Sequence, residues 1–325
     1  MNDTTYEKEL EVATQAVVQA AGICSSIQGK IGEGMLEKKD RSPVTVADYC
    51  SQALVCRALS QSLPDDPVVA EEDTKDLRTP EHASVLERMI TELSAVGVSD
   101  TDEILRLVDL GNAPATSSRF WTLDPIDGTK GFLRGQQYAI ALGLLVDGKV
   151  VLGALACPNL SIGEEKGVVL TAVRGQGAYA APISNPSART KITVSPTDDP
   201  SQARTCESVE SGHSAHDVSA QVVQRLGIAV DPVRLDSQAK YAVVAQGQAE
   251  IYLRLPTRKD YQEKIWDHAA GSIVVEEAGG RVTDVLGQPL DFSQGRTLAN
   301  NRGVVASNAA VHDRFLQTLR DLDVK

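Results

Sequence analysis

The strongest chemical signal in the sequence is the run Asp124-Pro125-Ile126-Asp127-Gly128-Thr129. Its two carboxylates stand three positions apart and directly follow the apolar segment Phe120–Leu123, which predicts a strand. Proline fixes one backbone φ angle, and glycine permits the sharp turn that must follow. Such a turn can direct both carboxylates and the Ile126 carbonyl oxygen towards one point. Because Mg²⁺ prefers oxygen ligands, the run predicts a magnesium site.

The residues that close this run suit a phosphate group. Thr129 supplies a hydroxyl beside the predicted metal ligands, and the backbone N–H groups of Gly128 and Thr129 can donate to phosphate oxygens if a helix begins there. Taken alone, two aspartates at this spacing more often serve a turn or a helix cap. The metal interpretation therefore depends on acidic residues elsewhere in the chain.

Other acidic residues are candidates for the same site. Glu71 and Glu72 follow the short apolar run Pro67–Ala70, Asp267 comes where a helix is predicted to begin, and Asp48 lies near the start of another. Each has a simpler interpretation. An acidic pair at a strand end is usually solvated surface, and an aspartate at a helix start is usually an N-cap.

Hydrophobic periodicity predicts the elements that must position these residues. Helices are predicted at residues 10–27, 46–63, 81–93, 217–226, 238–245, 267–279 and 309–322. Strands are predicted at residues 67–70, 120–123, 138–146, 150–157, 168–173, 177–180, 233–235, 249–255 and 304–307. The polar stretch 97–118 is predicted to be an irregular insertion. The small residues Ala269, Ala270 and Gly271 indicate that another element packs closely against their helix.

This pattern predicts a layered α/β sandwich in two lobes. An α+β N-terminal lobe, residues 1–185, would carry most of the metal ligands. An α/β C-terminal lobe, residues 186–325, would carry Asp267, and the polar, proline-containing segment 182–189 would join the two. We expect a monomer or a weak homo-oligomer.

Composition excludes several classes of function. The formal net charge of −12 argues against a nucleic-acid polymer as partner, since that partner requires a basic surface. The five cysteines form no C-x-x-C pair, which argues against a zinc site and favours a reducing compartment. No run of eighteen apolar residues is present, and the first ten residues lack the features of a secretory signal. We therefore expect no membrane partner and a cytoplasmic location.

Three features of the sequence together resemble the inositol monophosphatase superfamily: an acidic pair after a strand, D-P-I-D-G-T and W-D-x-x-A-G. They occur in the family's order and across nearly the whole chain. That resemblance implies a Mg²⁺-dependent, lithium-sensitive phosphatase with alternating αβαβα layers. One departure is Ala70, where the family commonly has glycine. Further segments resemble the 3′(2′),5′-bisphosphate nucleotidase branch, namely 42–49, 120–132, 212–217, 235–241, 252–256 and 261–271.

The resemblance implies a role for each matching residue. Asp48 and Thr129 would activate the attacking water, and Gly128 and Thr129 would hold the scissile phosphate. Two or three Mg²⁺ ions would be held by Glu71, Asp124, Asp127, Asp267 and the carbonyl of Ile126. The rest of a nucleotide would be held by His213, Ser237, Lys240, Arg254 and Asp267. Without the resemblance, the lysine and the arginine would be interpreted as surface charge and the histidine as a solvated loop residue.

The implied reaction is direct hydrolysis of the 3′-phosphate of adenosine 3′,5′-bisphosphate, giving AMP and phosphate. The sulfated form of the same nucleotide is a second candidate substrate, as in an enzyme of sulfur metabolism. Within the superfamily the alternative is an inositol polyphosphate 1-phosphatase. From a different class, the alternative is a catalytically silent sensor that binds a nucleotide in the same pocket.

Overall fold

A computed structural model of the chain describes residues 5–32, 42–209, 216–256, 258 and 260–324. Within these residues the strands form two sheets. The first sheet has the order β1-β2-β3-β4-β5-β6-β7, and only its β1–β2 pair is parallel. Its strands are Val68–Ala70, Arg119–Asp127, Ala139–Val146, Lys149–Ile162, Glu165–Val173, Gly177–Pro182 and Thr190–Ile192.

The second sheet is mixed and has the order β11-β12-β10-β8-β9. Strand β10 pairs in parallel with β8 and antiparallel with β12, so the direction of pairing changes at β10. The strands β8 to β12 are Thr205–Glu207, Val233–Arg234, Ile251–Arg254, Gly280–Thr283 and Val304–Asn308.

Helices form the other layers. In chain order, α1 to α9 are Glu7–Gly32, Ser42–Ser62, Ala83–Ser94, Thr101–Asp109, Thr129–Leu133, His216–Leu226, Ala239–Ala245, Ala269–Glu277 and Ala309–Asp321. Helices α1 and α2 pack on the outer face of the first sheet, α7 and α8 lie between the two sheets, and α6 and α9 cover the far face of the second. The predicted αβαβα sandwich is confirmed. The boundary between lobes at residue 185 stays a prediction.

Helix α1 is long and apolar enough to cross a membrane by length and composition alone. Its apolar positions are instead used in the core. Ala13, Val17, Ala20, Cys24 and Ile27 are buried where α1 packs against α2 and the first sheet. The five cysteines are all free and buried.

The prediction of an irregular insertion at residues 97–118 is wrong. This stretch contains helix α4, which begins after Asp100, whose side chain accepts a hydrogen bond from the Glu103 N–H. Its apolar residues recur at helical spacing, and Ile104, Leu107 and Val108 are fully buried where α4 packs on α2. The sequence thus contains a cap and an apolar face for this helix, and tertiary packing stabilises its short length.

The predicted close packing at Ala269–Gly271 is confirmed. A Cβ atom on Gly271 would lie 2.3 Å from the ring of Tyr241 in α7. On the opposite side of α8, a Cβ on Gly143 would lie 2.9 Å from the Cβ of Ala269. The helix can lie between two elements this closely because these positions lack side-chain bulk.

We expect Gly271→Ala to lower the free energy of unfolding by about 1–3 kcal/mol, since the buried Tyr241 ring cannot move without disturbing the core. The control is Gly22→Ala on α1, where the added methyl group has nothing within 4 Å. That change should stabilise the protein by about 0.5–1 kcal/mol through helix propensity. Urea denaturation of both variants measures the difference, and equal effects would contradict this packing.

Candidate active site

The candidate site begins where the parallel strands β1 and β2 end side by side. Ala70 lies opposite Leu123 in the sheet, so the residues that follow them, Glu71 and Asp124, leave the two strands as neighbours. The pairing of β2 with β3 is irregular between Asp124 and Asp127, which brings both aspartates towards the same edge. Sheet register alone thus brings three acidic residues together.

The turn after Asp127 depends on glycine for two reasons. Gly128 has a φ of 89°, in the left-handed region that a side chain disfavours. A Cβ atom at this position would also lie only 2.8 Å from the Cβ of Ser237. Helix α5 begins directly afterwards at Thr129. The condition stated for phosphate binding, a helix that begins at this point, is therefore met.

A buried glutamine positions the acidic pair after β1. The side chain of Gln52, from α2, donates to the Glu72 carbonyl at 2.7 Å and accepts from the Glu72 N–H at 3.1 Å. The same amide donates to the Val108 carbonyl of α4 at 2.9 Å. On the strand before the pair, the Ala70 N–H donates to the Gly111 carbonyl at 2.7 Å. The helix missed from sequence thus supports this edge of the site.

Asp267 reaches the site from the segment directly before α8, and it is not the N-cap of that helix. His268 occupies the N-cap position of α8, without a side-chain cap bond. The Asp267 carboxylate lies 3.6 Å from Nη2 of Arg254. The same nitrogen atom lies 2.7 Å from Oε2 of Glu263. Asp267 therefore faces the cavity beside a buried cation.

These segments surround a cavity of about 300 Å³. Of the residues proposed from sequence, ten line it: Glu71, Asp124, Ile126, Asp127, Gly128, Thr129, Ser237, Lys240, Arg254 and Asp267. The cavity is also lined by Lys130, Asp236, Gln238, Tyr252 and Tyr261. His213 lies outside the described residues.

Asp48 lies in the second turn of α2 rather than at its N-cap, so capping does not explain it. It is buried and is not among the described residues that line the cavity. Burial raises its pKa well above the usual range, and the nearby charges of Glu72 and Glu71 raise it further. Asp48 thus belongs electrostatically to the acidic cluster, one step behind the cavity wall.

Crowding raises the pKa values of the other carboxyls as well. Although Glu71 is exposed to the cavity, loss of hydration and the charge of Asp267 raise its pKa to about 8. Burial raises the pKa of Asp267 to about 6, although Arg254 acts in the opposite direction. Burial, followed by the charges of Glu71 and Asp127, raises the pKa of Asp124 well above its usual range. The metal-free cluster holds protons that isolated carboxyls would release.

The donor set fits a divalent cation of the Mg²⁺ type. Asp124 Oδ1 is fully buried and has no hydrogen-bond partner among the described residues. A buried carboxylate oxygen without a partner is costly, and a cation would satisfy it. The acidic side chains and the Ile126 carbonyl that line the cavity offer oxygen donors, which favours a hard cation over zinc. Glu263, Asp267 and His268 also lie close together, but Arg254 already neutralises that group.

The loop before α7 is held by several polar contacts. The Gln238 N–H donates to Asp127 Oδ2 at 2.5 Å. Lys240 is buried, and its ammonium donates to the carbonyls of Leu235 at 3.3 Å and Ser237 at 2.8 Å. Ser237 has a φ of 68°, a conformation that these bonds help to maintain. The loop therefore fixes Ser237 against the turn after Asp127.

Lys240 and Arg254 are thus not ordinary surface charges. Burial lowers the pKa of Lys240, and the nearby charge of Arg254 acts in the same direction. For Glu263, burial would raise the pKa, but Arg254 and His268 outweigh it and lower the pKa to about 2. His268 also contacts the Tyr241 hydroxyl at 2.7 Å. Both cations reach the cavity from a hydrogen-bonded network.

Several residues that shape the site were not identified from sequence. They are Gln52, which holds the acidic pair, Arg134, which pairs with Asp236, and Gln238, whose amide joins the Trp266 carbonyl to the Gly271 N–H. The segment 235–241 was noted for its resemblance, but a lone glutamine or aspartate in a loop carries no signal for a distant partner. The roles proposed for the matched residues stay predictions.

The layered fold and the carboxylate-lined cavity are those of the phosphatases that the sequence resembles. The chain belongs to the inositol monophosphatase family, whose model matches residues 4–323. Among curated relatives, a 3′(2′),5′-bisphosphate nucleotidase of Emericella nidulans is 44% identical, with 97% of this chain and 98% of that protein covered. One of Oryza sativa is 46% identical over 97% of this chain and 94% of that protein.

Solved structures support the fold. An inositol monophosphatase from Anabaena superposes with a TM-score of 0.64 at 21% identity, covering 98% of this chain and 97% of that one. SuhB from Mycobacterium tuberculosis gives 0.64 at 23% identity, covering 99% of both chains. At this level of identity the likeness concerns the fold alone.

We expect the metal-free protein to become less stable as pH rises. The raised pKa values of Glu71, about 8, and Asp267, about 6, mean that the folded state binds more protons than the unfolded state above pH 4. The free energy of unfolding should therefore fall between about pH 4 and pH 8. Saturating Mg²⁺ should remove that fall, because it favours the ionised carboxylates. Chemical denaturation at several pH values, with EDTA or Mg²⁺, measures this.

A variant sharpens this test. Asp124→Asn removes one of the crowded charges, so it should stabilise the metal-free protein at pH 8 while abolishing most of the stabilisation by Mg²⁺. The matched control is Asp313→Asn, in an exposed ion pair with Arg281, which should change neither quantity. A metal-free protein whose stability rises over this pH range would contradict the clustering.

Proposed function

We propose that this protein hydrolyses the 3′-phosphate of adenosine 3′,5′-bisphosphate to give AMP and phosphate, with Mg²⁺ as cofactor. The sulfated form of that nucleotide is proposed as a second substrate. The names of relatives at 44–46% identity, which cover nearly the whole chain, support phosphatase activity on bisphosphate nucleotides. The cavity supports a substrate with two phosphate groups, and the choice of a nucleotide over an inositol bisphosphate is our inference from those relatives.

The observation that carries the proposal is the opposite charge of two parts of one cavity. Glu71, Asp124 and Asp267 contribute carboxylates, whereas Lys240 contributes a buried cation and Arg254 a partly buried one. Carboxylates can hold a phosphate only through cations placed between them. Lysine and arginine attract a phosphate directly. The cavity therefore suits a substrate with two phosphate groups, one at each part, better than a monophosphate.

The metal ligands we propose are Glu71, Asp124, Asp127, Asp267 and the carbonyl of Ile126. Bound Mg²⁺ would neutralise the repulsion between carboxylates and phosphate and lower the pKa of a water molecule. Two observations support this assignment. Asp124 Oδ1 has no hydrogen-bond partner among the described residues, and the pKa values of the carboxyls are raised. A bound cation would satisfy that oxygen and would favour the ionised carboxylates.

The chain's own residues would then position the phosphate and the water. The N–H groups of Gly128 and Thr129, at the start of α5, would donate to the phosphate oxygens. The Thr129 hydroxyl would accept a proton from the attacking water as it passes its own proton to the Asp48 carboxylate behind the cavity wall. Attack in line with the leaving ribose oxygen would break the P–O bond without a covalent intermediate, and a water molecule would protonate that oxygen. Arg254 and Lys240 would hold the 5′-phosphate away from the reacting bond.

We expect kcat/KM for adenosine 3′,5′-bisphosphate to exceed that for inositol 1,4-bisphosphate by roughly tenfold or more. The second phosphate of the inositol compound is placed differently and should lose a charge-assisted hydrogen bond to Lys240 or Arg254, which is worth about 1.5–3 kcal/mol. Phosphate release at saturating Mg²⁺ measures both, and 5′-AMP serves as a substrate without the 3′-phosphate. Faster turnover of the inositol compound would favour an inositol polyphosphate 1-phosphatase. Nucleotide binding without turnover would favour a sensor.

Arg254 provides the control for this comparison. Arg254→Lys keeps a cation next to Glu263 and Asp267, whereas Arg254→Gln leaves that pair uncompensated. We expect Lys to retain much of the preference for the nucleotide and Gln to lose it. Equal losses on both substrates would assign Arg254 to the metal site rather than to the second phosphate.

Thr129 separates water activation from metal binding. Thr129→Ala should lower kcat by roughly 10²–10⁴-fold, the range for a lost proton-transfer group, while the Mg²⁺ concentration for half-maximal activity changes little. Thr129→Ser keeps the hydroxyl and should retain most activity. Recovery of the Ala variant at high Mg²⁺ would show that the residue serves the metal instead.

A further inference from the structure

One cation beside the acidic cluster is outside the cavity lining. Arg296 lies in the irregular segment between β11 and β12, remote in sequence from every proposed ligand. It is half-buried, and burial lowers its pKa while the charges of Asp73 and Glu71 act in the opposite direction. Its side chain contacts both segments that carry the outer metal ligands.

The first contact is with the end of β1. Arg296 Nη2 donates to the carbonyl oxygen of Ala70 at 2.5 Å, across 226 positions of sequence. Ala70 directly precedes Glu71, so this bond fixes the backbone from which the Glu71 carboxylate extends. Gln52 holds the other side of the same turn through Glu72.

The second contact is with the segment before α8. The Arg296 guanidinium carbon lies 4.6 Å from the centre of the Trp266 ring, a cation–π distance. Trp266 directly precedes Asp267 and is almost fully buried. The backbones are also joined, because the Ile265 N–H donates to the Arg296 carbonyl at 3.2 Å and the Leu298 N–H donates to the Glu263 carbonyl at 2.8 Å.

We propose that Arg296 is a positioning residue that holds Glu71 and Asp267 at the separation needed for joint binding of a divalent cation. One guanidinium joins the residues immediately before these two carboxylates, Ala70 in the first sheet layer and Trp266 before α8. Both carboxylates line the same cavity, so they repel each other when both are ionised. Without the Arg296 contacts, the segments that carry Glu71 and Asp267 would move apart until a cation bound.

The charge of Arg296 might be expected to weaken cation binding by repulsion. Asp73 attracts that charge and offsets part of it, although the ion-pair partner of Asp73 is Lys75 at 2.8 Å. We expect the positioning effect to exceed the repulsion that remains, so removal of the side chain should weaken Mg²⁺ binding rather than strengthen it. The inference rests on the metal site of the proposed function.

The test measures Mg²⁺ binding directly, without turnover. Isothermal titration calorimetry of the EDTA-treated full chain gives Kd, and tryptophan fluorescence gives a second readout, since Trp266 adjoins a proposed ligand whereas Trp121 is buried in β2. We expect Arg296→Ala to raise Kd about tenfold, equivalent to roughly 1.4 kcal/mol. Arg296→Lys, which keeps a donor and a charge, should raise it less.

Matched variants separate the possible explanations. Arg281→Ala removes an exposed arginine paired with Asp313, and should leave Kd unchanged. A Kd in Arg296→Ala equal to that of the unaltered protein, or a lower one, would overturn the positioning role, even if the variant unfolds more easily. A stable Arg296→Lys keeps the test decisive should the alanine variant fail to fold. If the unaltered protein binds no Mg²⁺, the proposed metal site itself fails.

Discussion

Repulsion among clustered carboxylates is the constraint on which the rest of this structure depends. The pKa values of Glu71, Asp124 and Asp267 are all raised, first by the loss of hydration and then by the charges of neighbouring carboxylates. Such a cluster forms only if the fold places the groups there at a cost that other interactions offset. Burial of the apolar core offsets that cost, and the polar contacts around the cavity set the positions of the carboxylates.

Each acidic segment is therefore held in place by contacts with a neutral or cationic side chain. Gln52 holds the turn after β1, and Gln238 joins the segment before α8 to the loop that contacts Asp127. Arg254 compensates Asp267, and Arg296 joins the two outer segments. The donors that hold backbone atoms act without neutralising the carboxylates. The acidic groups remain available to a cation because the support is applied mainly to their backbones.

The sequence predicted most of this arrangement but not its supports. Alternating apolar runs identified the long strands, and the run from Asp124 to Thr129 combines residue types that few turns require. Helix α4 was missed because polar residues flank its short apolar face, although the cap at Asp100 and the spacing of Ile104 and Val108 are local signals for a helix. Arg296 was missed for a different reason: its partners, Ala70 and Trp266, are defined only by the fold.

The near-contact of Gly128 with Ser237 also constrains how this chain can diverge. A side chain at position 128 would overlap the Ser237 Cβ, and glycine at position 237 would relieve only that overlap, because the left-handed φ of position 128 would remain strained. Glycine at 237 would also remove the hydroxyl that accepts a hydrogen bond from the Ala239 N–H at the start of α7. The two positions, 109 apart in sequence, therefore cannot compensate for each other, and we expect glycine to persist at position 128 as the chain diverges.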